Sequence, residues 1–353
     1  MPDKKFILRD LIHEDYAQLP SLLKSVWKIK TGEDYWIWKY ESPPFQTNAW
    51  VIEAENGAIV AFTGYWRRPA QMGGITTKPF LVVDIMADPE YRGGKVYSLI
   101  SRQILEIAKR ETVFGFTNPI SHRLFKNLLS DYIKIDADVP VFVSLLDGGY
   151  AVRSDIFIKS IIGNLTRFFH KMRLKIPGYK DILVQKTDAV EDDFDSLWED
   201  VGYEYGFILY RGKDYLRWRY ISSNTVKYQI WKALEKGRLV GYLVTAIRNE
   251  SHGKKAFLMD WLVSRKRNDV FNAMFKTALS WLLNQKVSMM ETWLLGHEKK
   301  RAKILRSHFF IRSRRTYSFL LVGHDAAKAS RPLSAQEIFL TLGDSDYLAT
   351  RDG

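Results

Sequence analysis

Two heptapeptides, DYWIWKY at positions 34–40 and DYLRWRY at 214–220, repeat Asp, Tyr, Trp, a basic residue and Tyr in the same order, 180 positions apart. Repetition at that distance predicts two copies of one supersecondary unit, each able to build a core. The agreement extends beyond the aromatic residues. Tyr40 and Gly57 are spaced as Tyr220 and Gly237 are, and each glycine lies in a turn, ENGAIVAF and EKGRLVGY, between apolar runs. Asn56-Gly57 is a strong hairpin signal. A further strand follows in each half, FLVVDIMA and AFLMDWLV, with Asp84 and Asp260 near the centres.

A helix comes next in both halves. Val96, Leu99, Ile100, Ile104, Ile107 and Ala108 share one face, and Phe271, Met274, Phe275, Ala278 and Leu282 share another, both with a period near 3.6. Short apolar strands follow, TVFGFTN and MMETWLL, then helical stretches from Ser121 to Leu129 and Lys299 to Ser307. Each half therefore reads β-α, then β-β-β-α-β-α-β. A chain of 353 residues that is 46% hydrophobic can bury two cores. The reading divides it into residues 1–150, a basic amphipathic linker at 151–185, a second copy at 186–324, and a tail or cap at 325–353. The linker mixes Ile, Leu and Phe with Lys159, Arg167, Lys171, Arg173 and Lys175. Its pattern favours packing of the apolar side on the body with the charges in water; peripheral contact with an anionic membrane is the alternative.

Composition excludes some chemistry. The chain has no cysteine, so disulfides, thiolate metal sites and thiol nucleophiles are all ruled out. No metal-ligand spacing such as His-Glu-x-x-His and no Ser-His-Asp arrangement occurs. The N-terminal MPDKKFILRD lacks an apolar signal core, and no run approaches the roughly 18 apolar residues of a spanning helix. The expectation is a cytoplasmic protein. Net charge is +13, which fits either a bland basic surface or phosphate-bearing ligands.

The most informative stretch is VVDIMADPEYRGGKVYSLISRQIL, 82–105. A buried strand ends at Asp88-Pro89, a basic glycine-bearing loop follows, and a helix begins near Val96. Backbone N–H groups at a helix start favour an anion, and glycines let a phosphate approach the main chain. An ordinary strand-to-helix turn is the plainer account.

The element order and DPEYRGGKVYSLI resemble the GCN5-related N-acetyltransferase (GNAT) superfamily. Asp88, Pro89, Tyr91, Arg92 and Gly93 match that family's lead-in, and FTNPISHRLFKNL is similar to its later Asn-bearing element. The tandem arrangement resembles a bacterial two-domain type associated with polysaccharide or cell-surface gene clusters. The resemblance implies an α/β (α+β) fold class with tandem duplicated domains, each a mixed central sheet flanked by helices. It implies acetyl-coenzyme A or another acyl-coenzyme A as cofactor. Ile85, Met86, Ala87, Arg92, Gly93, Gly94, Lys95, Val96, Tyr97, Asn118 and Ser121 would hold it. Met86 or Ala87 would offer a backbone N–H to the thioester carbonyl. The chain departs from the family pattern at Lys95, where a glycine is expected, at Tyr97, where a small residue is expected, and at Phe125, where a tyrosine often serves as general acid. The second half has no glycine after its third strand; Arg265, Lys266 and Arg267 read as a solvated turn.

Acyl transfer needs a base for the amine and an acid for the leaving thiolate. Asp84 and Glu53 are candidate bases, Tyr97 and Tyr132 candidate acids, and His122 a possible shuttle. Each also has an ordinary packing or surface reading. Asp344 and Asp346 in GDSDY are candidate substrate residues. The aromatic heptapeptides would suit sugars or bases, yet they persist where the loop is lost, which favours packing. The expected function is N-acyl transfer to an amino sugar or other small amine. A Fem-like aminoacyl-tRNA transferase, the one reading that makes nucleic acid a partner, and a non-catalytic scaffold are the alternatives.

Overall fold

The computed structural model describes residues 5–148, 156–175, 181–251, 253–295, 297–323 and 333–346. The first half runs β1 (Phe6–Asp10), α1 (Leu19–Trp27), α2 (Glu33–Tyr40), β2 (Thr47–Ala54), β3 (Ile59–Arg67), β4 (Ala70–Met72), β5 (Ile75–Thr77), β6 (Phe80–Ala87), α3 (Gly94–Ala108), β7 (Val113–Thr117), α4 (Pro119–Leu128) and β8 (Ile133–Leu145). The connecting helix is α5 (Ile156–Leu174). The second half repeats the order: β9 (Ile182–Thr187), α6 (Asp192–Val201), β10 (Phe207–Leu209), α7 (Lys213–Leu216), β11 (Tyr228–Glu235), β12 (Arg238–Glu250), β13 (Gly253–Val263), α8 (Asn268–Asn284), β14 (Val287–Trp293), α9 (Lys299–Ser307) and β15 (Ile311–Val322); the exceptions are the short strands β4, β5 and β10. A short β16 (Ile338–Phe339) follows.

The main sheet has twelve strands in the order β1-β2-β3-β6-β7-β15-β8-β14-β13-β12-β11-β9. Read inward from one edge, five strands of the first half are completed by β15 of the second. Read from the other edge, five strands of the second half are completed by β8 of the first. The halves thus exchange their last strands, and β8 and β15 pair at the centre. A smaller sheet, β16-β10-β4-β5, joins the halves again. The C-terminal piece, expected as a strand or cap, supplies β16 to it.

Helical periodicity predicted the buried faces. Val96, Ile100, Ile104 and Ala108 of α3 recur every fourth residue and are all buried. Each large side chain there contributes about 1.5–3 kcal/mol by leaving water. The turn at Asn56-Gly57 forms, with Gly57 at φ 79°.

Both copies of the aromatic heptapeptide are helical: α2 in the first half, and α7 continued by a wider π turn at Arg217–Ile221 in the second. They pack against each other. Trp38 and Trp218 stack with centroids 5.2 Å apart. Trp38 Nε1 donates to the Trp218 carbonyl at 3.3 Å, and Trp218 Nε1 donates to the Trp38 carbonyl at 3.1 Å.

The connecting helix departs from expectation. Polar side chains hold α5 to the body: Arg167 donates to Asp147 at 3.0 Å and to the Leu283 carbonyl at 3.2 Å. His170 bonds the Leu145 carbonyl at 2.9 Å, and Arg173 donates to the Ser307 carbonyl at 3.0 Å. Ile161, Leu165, Phe168, Phe169 and Met172 face outward, while Leu174 packs on the core. The reason is steric as well as polar: a Cβ on Gly163 would lie 2.3 Å from Asp147 Oδ1, so the glycine face is the one that can approach.

Candidate active site

β6 and β7 are parallel neighbours, but their register covers Phe80↔Val113 and Leu81↔Phe114 and stops there. Beyond Leu81, β6 continues alone on that side. Its register with β3 shifts between Phe62 and Gly64, and at this bulge Asp84 takes φ 51°. A left-handed aspartate costs on the order of 1 kcal/mol or more, and such strain clusters at functional sites.

The Asp84 side chain is fully enclosed. Tyr40 Oη donates to Asp84 Oδ2 at 2.7 Å, and Lys39 Nζ lies 2.5 Å from the same oxygen. Lys39 also donates to Tyr35 Oη at 3.0 Å and reaches Asp346 at 3.3 Å. Gly64 makes room for this arrangement, since a Cβ there would fall 1.8 Å from Tyr40 Oη. Asp84 Oδ1 is buried and receives no hydrogen bond among the described residues. Burial, against the pull of Lys39 and with help from the neighbouring Asp346 charge, pushes the Asp84 carboxyl up to about 6. Burial opposes ionisation of Asp346 too, but Lys39 holds that carboxyl below its usual range. Burial alone would depress Lys39; Asp84 more than restores it, so its ammonium stays charged.

The second half builds the equivalent position differently. Asp260 lies at the matching bulge of β13, and Tyr220 donates to its Oδ2 at 3.2 Å as Tyr40 does to Asp84. Tyr242 adds a bond to that oxygen at 3.1 Å. Asp260 Oδ1 accepts from Arg211 at 3.0 Å, from Thr341 at 2.9 Å and from the Trp261 N–H at 2.9 Å. Arg211 further pairs with Asp344 at 2.5 Å, and Arg68 reaches Asp344 at 3.4 Å. Both oxygens of Asp260 are therefore saturated, whereas Asp84 has one buried oxygen without a donor among the described residues. The C-terminal segment thus divides its acids, Asp344 to the Asp260 network and Asp346 to the Asp84 one.

The loop after β6 is held from below. Asp88 accepts from the Glu90 N–H at 2.9 Å and from Ser25 at 2.7 Å, and Arg92 Nε donates to the Ala87 carbonyl at 3.1 Å. Gly93 and Gly94 have φ 124° and 37°, and a Cβ on either would meet nothing within 4 Å. No side chain caps α3. The N-cap residue is Gly93, so exposed glycine backbone leads into the first turn of α3, which fits a pyrophosphate. In the second half the corresponding turn is occupied by the protein itself. Glu204 accepts from the Arg265 N–H at 2.7 Å, and Arg267 is tied to Glu235 and Asp269, each at 2.8 Å.

Other candidates fall elsewhere. Met86 and Ala87 bury their side chains in the two cores on either side of the sheet, and Ile85 is half-buried, so main chain is what these residues can offer a ligand. Lys95 is exposed and Val96 buried. Tyr97 is 39% exposed on the first turn of α3. Asn118 and Ser121 cap α4 reciprocally, at 3.0 and 3.2 Å. Tyr132 and Phe125 pack on the core beneath α3. Glu53 is on the β1–β2 ladder, paired with Arg9 at 2.7 Å, and does not join the Asp84 network. His122 bonds Asp136 at 2.9 Å. A cavity of about 600 Å³, lined in part by Asn48, Gln103 and Arg110, lies against the C-terminal half of α3 and not at its glycine end.

The sequence model of an acetyltransferase (GNAT) domain matches residues 8–128, which include the bulged strand, the loop and α3. Residues 8–128 form a GNAT domain. The whole chain has the tandem GNAT fold. A tandem GNAT protein from the clavulanic acid biosynthesis pathway aligns over 90% of this chain and 98% of its own, with TM-score 0.58 at 13% identity. A GCN5-related N-acetyltransferase from Anabaena variabilis aligns over 90% of this chain and 72% of its own, with TM-score 0.61 at 14% identity. Saccharomyces cerevisiae N-myristoyltransferase, solved with myristoyl-CoA and inhibitors, covers 98% and 86%, with TM-score 0.65 at 8% identity. No curated protein matches the sequence.

Reading the sequence missed the partners of Asp84 in the GNAT half. Lys39 and Tyr40 belong to the repeated heptapeptide, which was read as packing. It does pack, through Trp38, but its last two residues enter the acid network. The available signal was the basic residue kept before the final Tyr in both copies, together with an Asp at the centre of both third strands.

Proposed function

We propose that the chain is an acyl-coenzyme A dependent N-acyltransferase acting on a small amine, with an amino sugar as the leading acceptor class. The observation that carries this reading is a single line of structure. β6 carries the buried carboxylate of Asp84 and leads, through the loop at 88–93, to the glycine start of α3. The cofactor, when bound, supplies an acyl carbonyl activated as a thioester and a thiolate leaving group. Its pyrophosphate would sit on the α3 amides and Arg92; Asn118 and Ser121 are the further proposed contacts. Met86 or Ala87 would present a main-chain N–H toward the carbonyl.

The acceptor arrives as an ammonium and must lose a proton before it can form the C–N bond. Asp84, whose Oδ1 has no donor among the described residues, is the proposed acceptor of that proton. Lys39 and Tyr40 hold the other oxygen and fix the carboxylate. Asp346, with its side chain 27% exposed, is the part of the network that reaches solvent and would attract the ammonium. Tyr97 and Tyr132 are the proposed proton donors to the departing thiolate, Tyr97 being on the same helix start as the cradle.

Calorimetric titration with acetyl- and longer-chain acyl-coenzyme A tests the reading. Wild type should bind, and Arg92→Glu should weaken binding about tenfold or more, as expected for reversing a charge beside a phosphate. Absence of heat with wild type at millimolar cofactor would sink it. Amine-dependent release of free thiol then identifies the acceptor.

A further inference from the structure

The solvent side of α5 carries Ile161, Leu165, Phe168, Phe169 and Met172, which are 51, 54, 55, 49 and 53% exposed. Four of them, at 161, 165, 168 and 172, form a helical stripe about 16 Å long at 1.5 Å per residue. Exposed large side chains scattered singly need no explanation, but a continuous row on one helix does. Phe309 extends the patch: its ring lies 5.0 Å from His170, and it is 49% exposed. Ile311, two residues on, is 67% exposed.

The charge on the helix itself has one sign. Ile156–Leu174 contains no acidic residue. Lys171 and Lys175 flank the stripe and are exposed. Arg173 donates to the neutral Ser307 carbonyl, and its charge helps burial to depress Lys276. The helix is anchored by its polar face, through Arg167 and His170, so that its apolar face is held outward by the fold itself. A face that is apolar along its crest and cationic at its margin fits a lipid surface with anionic headgroups. A second copy of the chain fits it less well, because two such faces would bring like charges together in a molecule of net charge +13.

We propose that α5 is a membrane-docking helix that seats its Ile161–Met172 stripe in the headgroup region of an anionic bilayer, without crossing it. Among the described residues no helix is long and apolar enough to span. Docking at this face is independent of acyl transfer at Asp84.

Vesicle co-sedimentation tests it, with full-length protein and vesicles of phosphatidylglycerol with phosphatidylcholine, or phosphatidylcholine alone. Wild type should pellet with the anionic vesicles, much less with the neutral ones, and less at high salt. The double variant L165E/F168E should lose about tenfold or more of that binding. Its circular dichroism and melting temperature should match wild type, since both side chains are more than half exposed. Wild type that stays in the supernatant with anionic vesicles overturns the proposal, as does a folded double variant that pellets equally. Equal pelleting with neutral vesicles overturns the anionic preference. A sedimentation-velocity dimer that L165E/F168E abolishes, without vesicle binding, would assign the face to a second copy instead.

Discussion

Asp84 has a left-handed backbone, no exposed side-chain surface, and a carboxyl that burial pushes up to about 6. A base must be ionised to accept a proton, so the rate should rise with pH through about 6 and level off above it. The stability effect has the matching sign. A folded carboxyl raised above its unfolded value binds its proton more tightly in the folded state. Ionised Asp84 therefore costs stability above that pH, and the cost is relieved on acidification. Asp84→Asn should lower kcat by about 10²–10⁴-fold and abolish the acidic limb of the pH–rate profile. A variant that keeps both the rate and the limb would remove Asp84 from the chemistry. Asp260 makes the contrast. With both oxygens saturated, it is a structural partner of Arg211, and Asp260→Asn should appear as lost stability. The position of Asp84 at mid-strand was legible in the sequence. Its oxygen without a donor was not, because that depends on Lys39, Tyr40 and Asp346, which are distant in the chain.

At the level of elements, the repeated heptapeptide is where the two halves are fastened. Trp38 and Trp218 each donate an indole N–H to the other's main-chain carbonyl and stack between those bonds. Both are buried. Truncation of either to Ala should destabilise by about 3–5 kcal/mol, read from denaturant midpoints at constant m. The double variant should cost less than the sum, because the second truncation removes a side chain that has already lost its partner. Additive costs would mean that the rings act separately. Periodicity revealed which residues of α3 and α8 share a face, and composition marked α5 as amphipathic. For α3 and α8 the apolar face is the buried one, as the pattern implies. For α5 the amphipathic reading gave the wrong side, because Gly163 permits close approach to Asp147 on the polar face and Arg167 binds there. An amphipathic pattern identifies a face, but the body chooses it only when its own surface is apolar.

For the molecule as a whole, the sequence order of strands and their order in space part company at β8 and β15. Either strand reads the same whether it completes its own sheet or its neighbour's, so the exchange left no local signal. Its consequence is global. β7 is hydrogen-bonded to β15 through Phe114↔Leu321 and four adjoining pairs, so the side of β7 away from the splayed β6 is held by the second half. The second half has its anion cradle filled by Glu204, yet the first half lacks a complete sheet without it. A chain cut between β8 and α5 should therefore give two fragments that are unfolded or aggregated when expressed separately, since each would expose an unpaired apolar edge. Co-expressed, they should associate into one particle of full-length size with native near-ultraviolet circular dichroism. A first-half fragment that is monomeric, cooperatively folded and able to bind acyl-coenzyme A would show that β15 is dispensable. The degenerate copy would then need some reason for its retention other than completing the sheet on which Asp84 is held.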